Sequence, residues 1–346
     1  QSRGQHLVHH TGAFNLLLQK YALDFVFKVN NGREMPAIAL GSYLGFDQDG
    51  IVRSRNKELR DVTLRAIEVG YRHFDTASFY ETEGEIGEAI CMKIAEGEID
   101  RRDVFVTTKL WNTQHRREEV PSALKTSLEK MGLSYVDLYL MHWPIGLNAD
   151  YSYSEVDFME TWRGMEDAQQ QGLTKSIGLS NFNETQLRRV LEEGTIRPAA
   201  LQIENHLQIS NQELVDYAQD QGITVMGYSP LGSLVRRFGM QLPGPKMDDP
   251  VLLGIAKKYG KTVPQIVLRW LVDRKIVPIV KTVNVNRLKE NIDIFNFKLT
   301  DEEMAAMSKF DEHKRYTVPS FWQKHPYYPF ERVDNPVQNP FVRINS

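Results

Sequence analysis

HFDTASFYE at 73–81, VFVTTKLWN at 104–112 and LYLMHWP at 138–144 are three β-like runs, and each places an ionisable side chain at or just past its end. These groups are Asp75 and Tyr80, then Lys109, then His142. Side chains alternate along a strand, so Phe105, Thr107 and Lys109 share one face, as do Leu138, Leu140 and His142. A lysine closing an apolar run is unusual, because a buried ammonium needs a partner. Four such groups on neighbouring strand ends imply one site.

The same beat continues on both sides. Upstream, FVFKVNNGREMPAIAL at 25–40 sets two short apolar segments around Asn31-Gly32, a hairpin signal whose two-residue turn requires positive φ at both positions. Strands are expected at 38–43, 73–77, 104–110, 136–142, 176–180, 200–204, 224–228 and 277–280. Between them, helices are expected at 57–69, where Leu59, Val62, Ala66 and Val69 recur at helical spacing, and at 84–94 and 118–131, with Pro121 in the first turn of the latter. Further helices follow at 158–171, 184–193, 212–221, 250–273 with a break near Gly260, and 287–295. Such alternation favours a parallel sheet whose crossovers are helices. Eight units close into a (β/α)8 TIM barrel, here with an N-terminal β-hairpin and a long C-terminal loop over the site. The rival, an open Rossmann sheet, would carry GxGxxG after its first strand, and the chain has none. GIAKKYGKT at 254–262 resembles a phosphate loop but has five residues between its glycines and sits in a helical stretch.

Composition narrows the function classes. With 41% hydrophobic residues and a formal charge of −3, the chain can bury a large core and offers no electrostatic basis for nucleic acid. No run approaches the roughly 18 apolar residues of a membrane span. Cys91, the single cysteine, excludes an internal disulfide or a zinc knuckle and reads as a core residue, so a reducing, cytoplasmic setting is expected. Residues 1–24 lack any sustained period and read as an extension or a vector-derived leader, leaving 25–346 as one barrel domain. His6, His9 and His10 lie in that leader without Cys or carboxylate partners and are not read as a metal site. Asn183-Glu184-Thr185 matches a glycosylation sequon, but Asn183 reads better as a helix cap.

The quartet suits proton transfer to a carbonyl oxygen. Tyrosine, with an ordinary pKa near 10, is a weak acid able to protonate a developing alkoxide. A neighbouring Lys109 is expected to lower that pKa, Asp75 to hold the lysine, and His142 to orient the carbonyl by hydrogen bonding. Nothing in the set is a good nucleophile, and no metal-ligand set accompanies it. The missing reagent is a hydride, which implies a nicotinamide cofactor.

Seven ordered blocks, GYRHFDTASFY, TTKLWN, DLYLMHWP, GLSNF, LQIENH, GYSPLG and VKTVNVNRLKEN, make the chain resemble the aldo-keto reductase family over roughly residues 25 to 325. The resemblance implies a (β/α)8 barrel, NADPH used without a Rossmann fold, and reversible carbonyl reduction. It implies Tyr80 as general acid, Lys109 and Asp75 as its tuning partners and His142 as the residue orienting the substrate. For the cofactor it implies Ser180, Asn181 and Gln202 at the nicotinamide carboxamide, and Tyr228 stacked on the ring. Ser229, Leu231 and Ser233 would follow the pyrophosphate, and Lys281, Thr282 and Arg287 would clamp a 2′-phosphate. Glu290 and Asn291 would lie beside the adenine, and Ser42, Tyr43 and Val283 are also expected against the cofactor. Tyr43, Trp111 and Trp143, with Phe321 and Trp322, are expected to form an aromatic substrate pocket.

Departures from the pattern are local. PIVKT at 278–282 stands where the family often has IPKS, and Tyr43 stands where tryptophan is frequent. The loop between His142 and Asn181 is shorter than in many members, and the tail VDNPVQNPFVRINS at 333–346 is long. The resemblance leans toward invertebrate members acting on ecdysteroid ketones, so a flat 3-oxo steroid is an expected substrate class beside small aromatic aldehydes. The alternatives are a broad aldose or aldehyde reductase, a non-catalytic NADPH-binding barrel, and a metal-dependent barrel hydrolase. A monomer with a small carbonyl substrate is expected.

Overall fold

The computed structural model describes residues 22, 24–47, 50–237 and 239–341. The histidine-rich leader therefore lies outside the described residues, although Ala22 packs into the main core. A hairpin of β1 (Val26–Lys28) and β2 (Glu34–Pro36) comes first, then β3 (Ala39–Gly41) and a two-stranded ribbon, β4 (Phe46–Asp47) with β5 (Gly50–Ile51). The remaining strands are β6 (His73–Asp75), β7 (Phe105–Leu110), β8 (Val136–Met141), β9 (Thr174–Ser180), β10 (Ala200–Glu204), β11 (Thr224–Tyr228) and β12 (Ile276–Lys281). With β3 they close an eight-stranded barrel in which all eight neighbouring pairs are parallel. All eight expected barrel strands form, with ends within two residues of the expected ones.

The helices are α1 (Glu58–Val69), α2 (Glu83–Ala95), α3 (Glu119–Met131), α4 (Phe158–Gln170), α5 (Glu184–Glu193), α6 (Gln212–Asp220), α7 (Pro250–Tyr259), α8 (Val263–Asp273), α9 (Val285–Ile292) and α10 (Asp301–Ser308). Their ends follow local chemistry. Asn183 caps α5 by accepting from Gln186 N at its side-chain oxygen while its own N–H donates to Gln186 Oε1, the expected cap role. Gly260 stops α7 in a left-handed conformation (φ 62), so GIAKKYGKT is a helix and its terminus rather than a phosphate loop. Cys91 on α2 is half-buried against the end of α3. No described helix is long and apolar enough to cross a membrane.

The strand period of two separates two cores. Outward-facing Val106, Leu110, Tyr139, Met141, Ile177 and Leu201 pack on the helices. Inward-facing Phe105, Leu138, Leu140, Met226, Val277 and Ile279 fill the barrel, closed at its N-terminal end by Val29 and Met35 of the hairpin. Gly178 is glycine because Leu140 crosses its strand: a Cβ there would meet Leu140 Cδ2 at 2.8 Å and Ala200 O at 2.5 Å. The hairpin forms where expected, but by a different turn. Gly32 N donates to Val29 O, and of the Asn31-Gly32 pair only Gly32 has positive φ (82). The connection is thus a three-residue loop ending in a left-handed glycine rather than a two-residue turn with both centres left-handed.

Buried histidines give the fold an acid sensitivity. His73, fully buried between Pro36 O and Thr107 Oγ1, is pushed down to about 4, chiefly by burial. His115 is pushed down to about 3 by burial and then by the nearby His325. Both are neutral when folded and bind a proton when unfolded below about pH 6.5. Stability is therefore full above pH 6.5 and falls as pH drops toward 4, by up to about 1.4 kcal/mol per pH unit for each group. Urea unfolding at pH 7 and pH 5 checks this: His73→Asn should show a shallower pH slope than the parent. An equal slope would contradict it.

Candidate active site

The C-terminal ends of the strands surround a cavity of about 530 Å³. Lys109, at the end of β7, is fully buried, and its Nζ donates to Asp75 Oδ1 at 2.6 Å, Thr76 O at 3.0 Å and Tyr80 Oη at 3.3 Å. An ammonium has three N–H donors, and all three are used. The second Asp75 oxygen accepts from Gln202 Nε2 at 2.8 Å, across the barrel from β10. Ser42 Oγ donates to the Asp75 carbonyl, which ties β3 to the same point.

Tyr80 reaches the lysine because the chain leaves β6 through a single 3-10 turn, Ser78–Tyr80. Ser78 Oγ donates to Lys109 O at 3.1 Å and fastens that turn to β7. Burial raises the Tyr80 hydroxyl well above the ordinary tyrosine value, and the Asp75 charge adds to it. The net shift is thus upward, against the lowering expected from Lys109, and Tyr80 holds its proton firmly in the resting site. Burial lowers the Lys109 ammonium, opposed by Asp75. His142 is held well below its ordinary value by burial and then by Lys109, so its ring is neutral. That ring stands edge-on to Tyr80, centroids 5.6 Å apart, and its Nδ1 is buried without a partner among the described residues.

The second half of the barrel supplies the facing wall. Asn181 adopts a left-handed backbone (φ 59), held by its N–H to Gln202 O, its Nδ2 to His142 O and its Oδ1 from Tyr228 Oη. Ser180, Asn181, Gln202, Tyr228, Ser229 and Leu231 all line the cavity, with Ser42 and Tyr43 opposite. Lys281 lines its edge. Burial lowers that ammonium, Glu58 opposes this, and the positive charge of Arg287 lowers it further.

Other expected positions lie away from the cavity wall. Ser233 is buried and donates to Pro245 O. Thr282 Oγ1 accepts from Asn284 N, and Glu290 accepts from Thr262 Oγ1. Val283, Arg287 and Asn291 belong to the same α9 region but do not line the cavity. Tyr43, Trp111, Trp143, Phe321 and Trp322, expected in the aromatic pocket, all line the cavity. Sequence reasoning missed Phe79, which stacks on Trp111 at 3.8 Å, and Phe341; it also missed Arg236 and Arg237 in the loop after β11. Phe79 sits beside Tyr80 in the opening motif, and that adjacency was the available signal.

This geometry belongs to a barrel oxidoreductase that uses no Rossmann fold. The model of the Aldo/keto reductase family matches residues 37–312, and the chain belongs to that family. It is 45% identical over 304 residues to the aldo-keto reductase AKR2E4 of Bombyx mori, covering 87% of this chain and 97% of the relative. It is 37% identical over 323 residues to human aldo-keto reductase family 1 member A1, covering 87% and 97%. Among solved structures, Bombyx mori AKR2E4 in complex with NADP superposes with a TM-score of 0.84 at 44% identity, over 88% of this chain and 99% of that one. AKR2E5 complexed with NADPH gives 0.88 at 43% identity, over 92% and 97%.

The ion pair at the centre is testable apart from activity. Asp75→Asn strands a buried ammonium, and Lys109→Met strands a buried carboxylate, so each should cost about 3–5 kcal/mol. The double variant should be more stable than the sum of the two losses allows, by urea unfolding. Strictly additive losses would show that the pair is not coupled.

Proposed function

We propose that this chain is an NADPH-dependent reductase of aldehydes and ketones, with Tyr80 as the proton donor. The observation that carries the proposal is the closed set of Lys109, Asp75 and Tyr80 at the mouth of the barrel, with neutral His142 against the tyrosine ring. Bound there, the reduced nicotinamide would supply two electrons, as hydride, to the carbonyl carbon. Tyr80 gives its proton to the carbonyl oxygen, and Lys109 donates to the tyrosine oxygen left behind. Asp75 keeps the lysine in place through this change, and the alcohol forms with charge balanced. His142, neutral and on the cavity wall, supplies the polar contact that aims the carbonyl oxygen at Tyr80.

The residues fit such a cofactor on their own evidence. Asn181, Gln202 and Ser180 present amide and hydroxyl groups on one wall beside the Tyr228 ring, as a nicotinamide carboxamide requires. The positive charge of Arg287 depresses the Lys281 ammonium, and a phosphate dianion bound by both would offset that effect. The solved relatives named above that carry NADP and NADPH support the same assignment. The aromatic cavity favours a flat apolar ketone, such as a 3-oxo steroid, beside small aromatic aldehydes.

Two expected outcomes check the reading. Tyr80→Phe should lower carbonyl reduction about 10²–10⁴-fold. NADPH affinity, followed by fluorescence titration, should stay close to that of the parent; retained turnover would remove Tyr80 as the acid. Arg287→Ala should weaken NADPH roughly tenfold through one lost charge-assisted contact. NADH binding should be unaffected, and equal weakening of both would place the phosphate elsewhere.

A further inference from the structure

Tyr80 lies on the excursion from β6 to α2, residues 76–82, and both ends of that excursion are fastened. Glu81, next to Tyr80, has a left-handed backbone (φ 56), which a non-glycine residue keeps only where its flanks hold it. Before Tyr80, Asp75 and Thr76 O accept from Lys109 Nζ, and Ser78 Oγ donates to Lys109 O. After Tyr80 comes the first turn of α2. Thr82, at the N-cap of that helix, makes no side-chain cap bond, and its hydroxyl donates instead to Ser42 Oγ at 3.1 Å, just past β3. Glu83, the first residue of the helix, turns the other way: its Oε1 accepts from Thr108 Oγ1 at 2.5 Å, on β7. The neighbours of β6 in the barrel are β3 and β7, so the start of α2 is bolted across the strand that delivers Tyr80.

Glu83 is only 2% exposed. Burial raises its carboxyl, opposed by hydrogen bonds from Thr108 and Ser127 and then by the charges of Lys130 and Lys109. A buried carboxyl is a costly way to fill space, since an apolar side chain would pack there without the desolvation penalty. Thr108 directly precedes Lys109, and the alternation of a strand turns its hydroxyl toward the helices while Lys109 turns into the barrel. Glu83 therefore grips β7 from behind, one residue from the lysine that meets Tyr80 in front.

We propose that Glu83, through its bond to Thr108, is a positioning residue of carbonyl reduction: it sets the far end of the Tyr80 turn so that the phenol stays within reach of the Lys109 ammonium. The Tyr80 contact, at 3.3 Å, is the longest of the three that Lys109 makes and so the first to be lost when the turn loosens. Without the Glu83–Thr108 bond the helix end is held by Thr82 alone, Tyr80 drifts from the ammonium, and its proton is harder to release. This rests on the reading of Tyr80 as the acid.

The test uses the full chain carrying Thr108→Val, which keeps the shape and removes the donor, against Thr108→Ser and Glu83→Gln, which keep the donor and the acceptor. Urea unfolding establishes that each is folded. The titratable groups facing Tyr80 are Asp75, Lys109, His142 and Tyr43, and none of these variants alters them. In Thr108→Val, kcat for benzaldehyde should fall about tenfold, with KM and NADPH affinity within about twofold of the parent. The alkaline limb of its pH profile should move to higher pH, and Thr108→Ser and Glu83→Gln should keep the parent behaviour. A reading that needs no turnover is the carbon-13 NMR signal of labelled Tyr80, assigned by its loss in Tyr80→Phe. It should shift in Thr108→Val in the direction it takes in Lys109→Met, by a smaller amount. Lower stability with kcat, alkaline limb and Tyr80 signal all unchanged would overturn the proposal and leave Glu83 a structural clamp. Failure of the reductase reading is seen separately, as absence of NADPH oxidation by the unaltered protein with benzaldehyde, and the NMR signal still decides whether Glu83 positions Tyr80.

Discussion

A fully buried lysine beside a buried aspartate is the constraint on which this site depends. Lys109 has no exposed surface, so water cannot satisfy any of its donors. Its three acceptors come from three kinds of group: a carboxylate, a backbone carbonyl and a phenol. That requirement fixes the end of β6, the turn that follows it and the end of β7 relative to one another. Asp75 is held in turn by Gln202 from the far side of the barrel. Proposed acid, ion pair and opposite wall are thus one hydrogen-bonded unit, and moving any member leaves a buried polar atom without a partner.

The barrel makes this unit affordable. Inward-facing apolar residues fill its lower layers, and the hairpin closes its N-terminal end, so the ion pair sits on a dry floor and opens only toward the cavity. The same dryness raises the Tyr80 hydroxyl and keeps His142 neutral. Both effects suit the proposed chemistry: an acid that keeps its proton until an alkoxide develops, and an imidazole that does not compete as a cation. The facing wall is linked to the first through Asn181, whose amide bridges His142 O and Tyr228 Oη.

Much of this was legible in the sequence because strands have a period of two and end in view. The eight strands, the helices between them and the placement of Asp75, Lys109 and His142 at strand ends all follow from that period. Tyr80 was legible from its place just past the first of these strands, and the family resemblance placed Asn181, Gln202 and Tyr228 on the opposite wall. The turn of the hairpin was misread because Asn-Gly serves two turn types, and the choice depends on Val29 pairing with Arg33. The direction of the Tyr80 shift was misread because a sequence reveals the neighbouring charge but not the depth of burial. Helix α10 went unread between the last barrel helix and the tail. Phe341 and Tyr151 went unread because rings in loops carry no period, and only the folded chain brings residue 341 over residue 151.

The account stands on Lys109 making the Tyr80 oxygen able to carry negative charge. The most direct measurement is the pH profile of kcat for reduction of benzaldehyde by the parent and by Lys109→Met. The account expects the alkaline limb, where the acid loses its proton, to lie at higher pH in Lys109→Met, with a lower plateau rate. An alkaline limb at the same pH and with the same plateau in both proteins would contradict it.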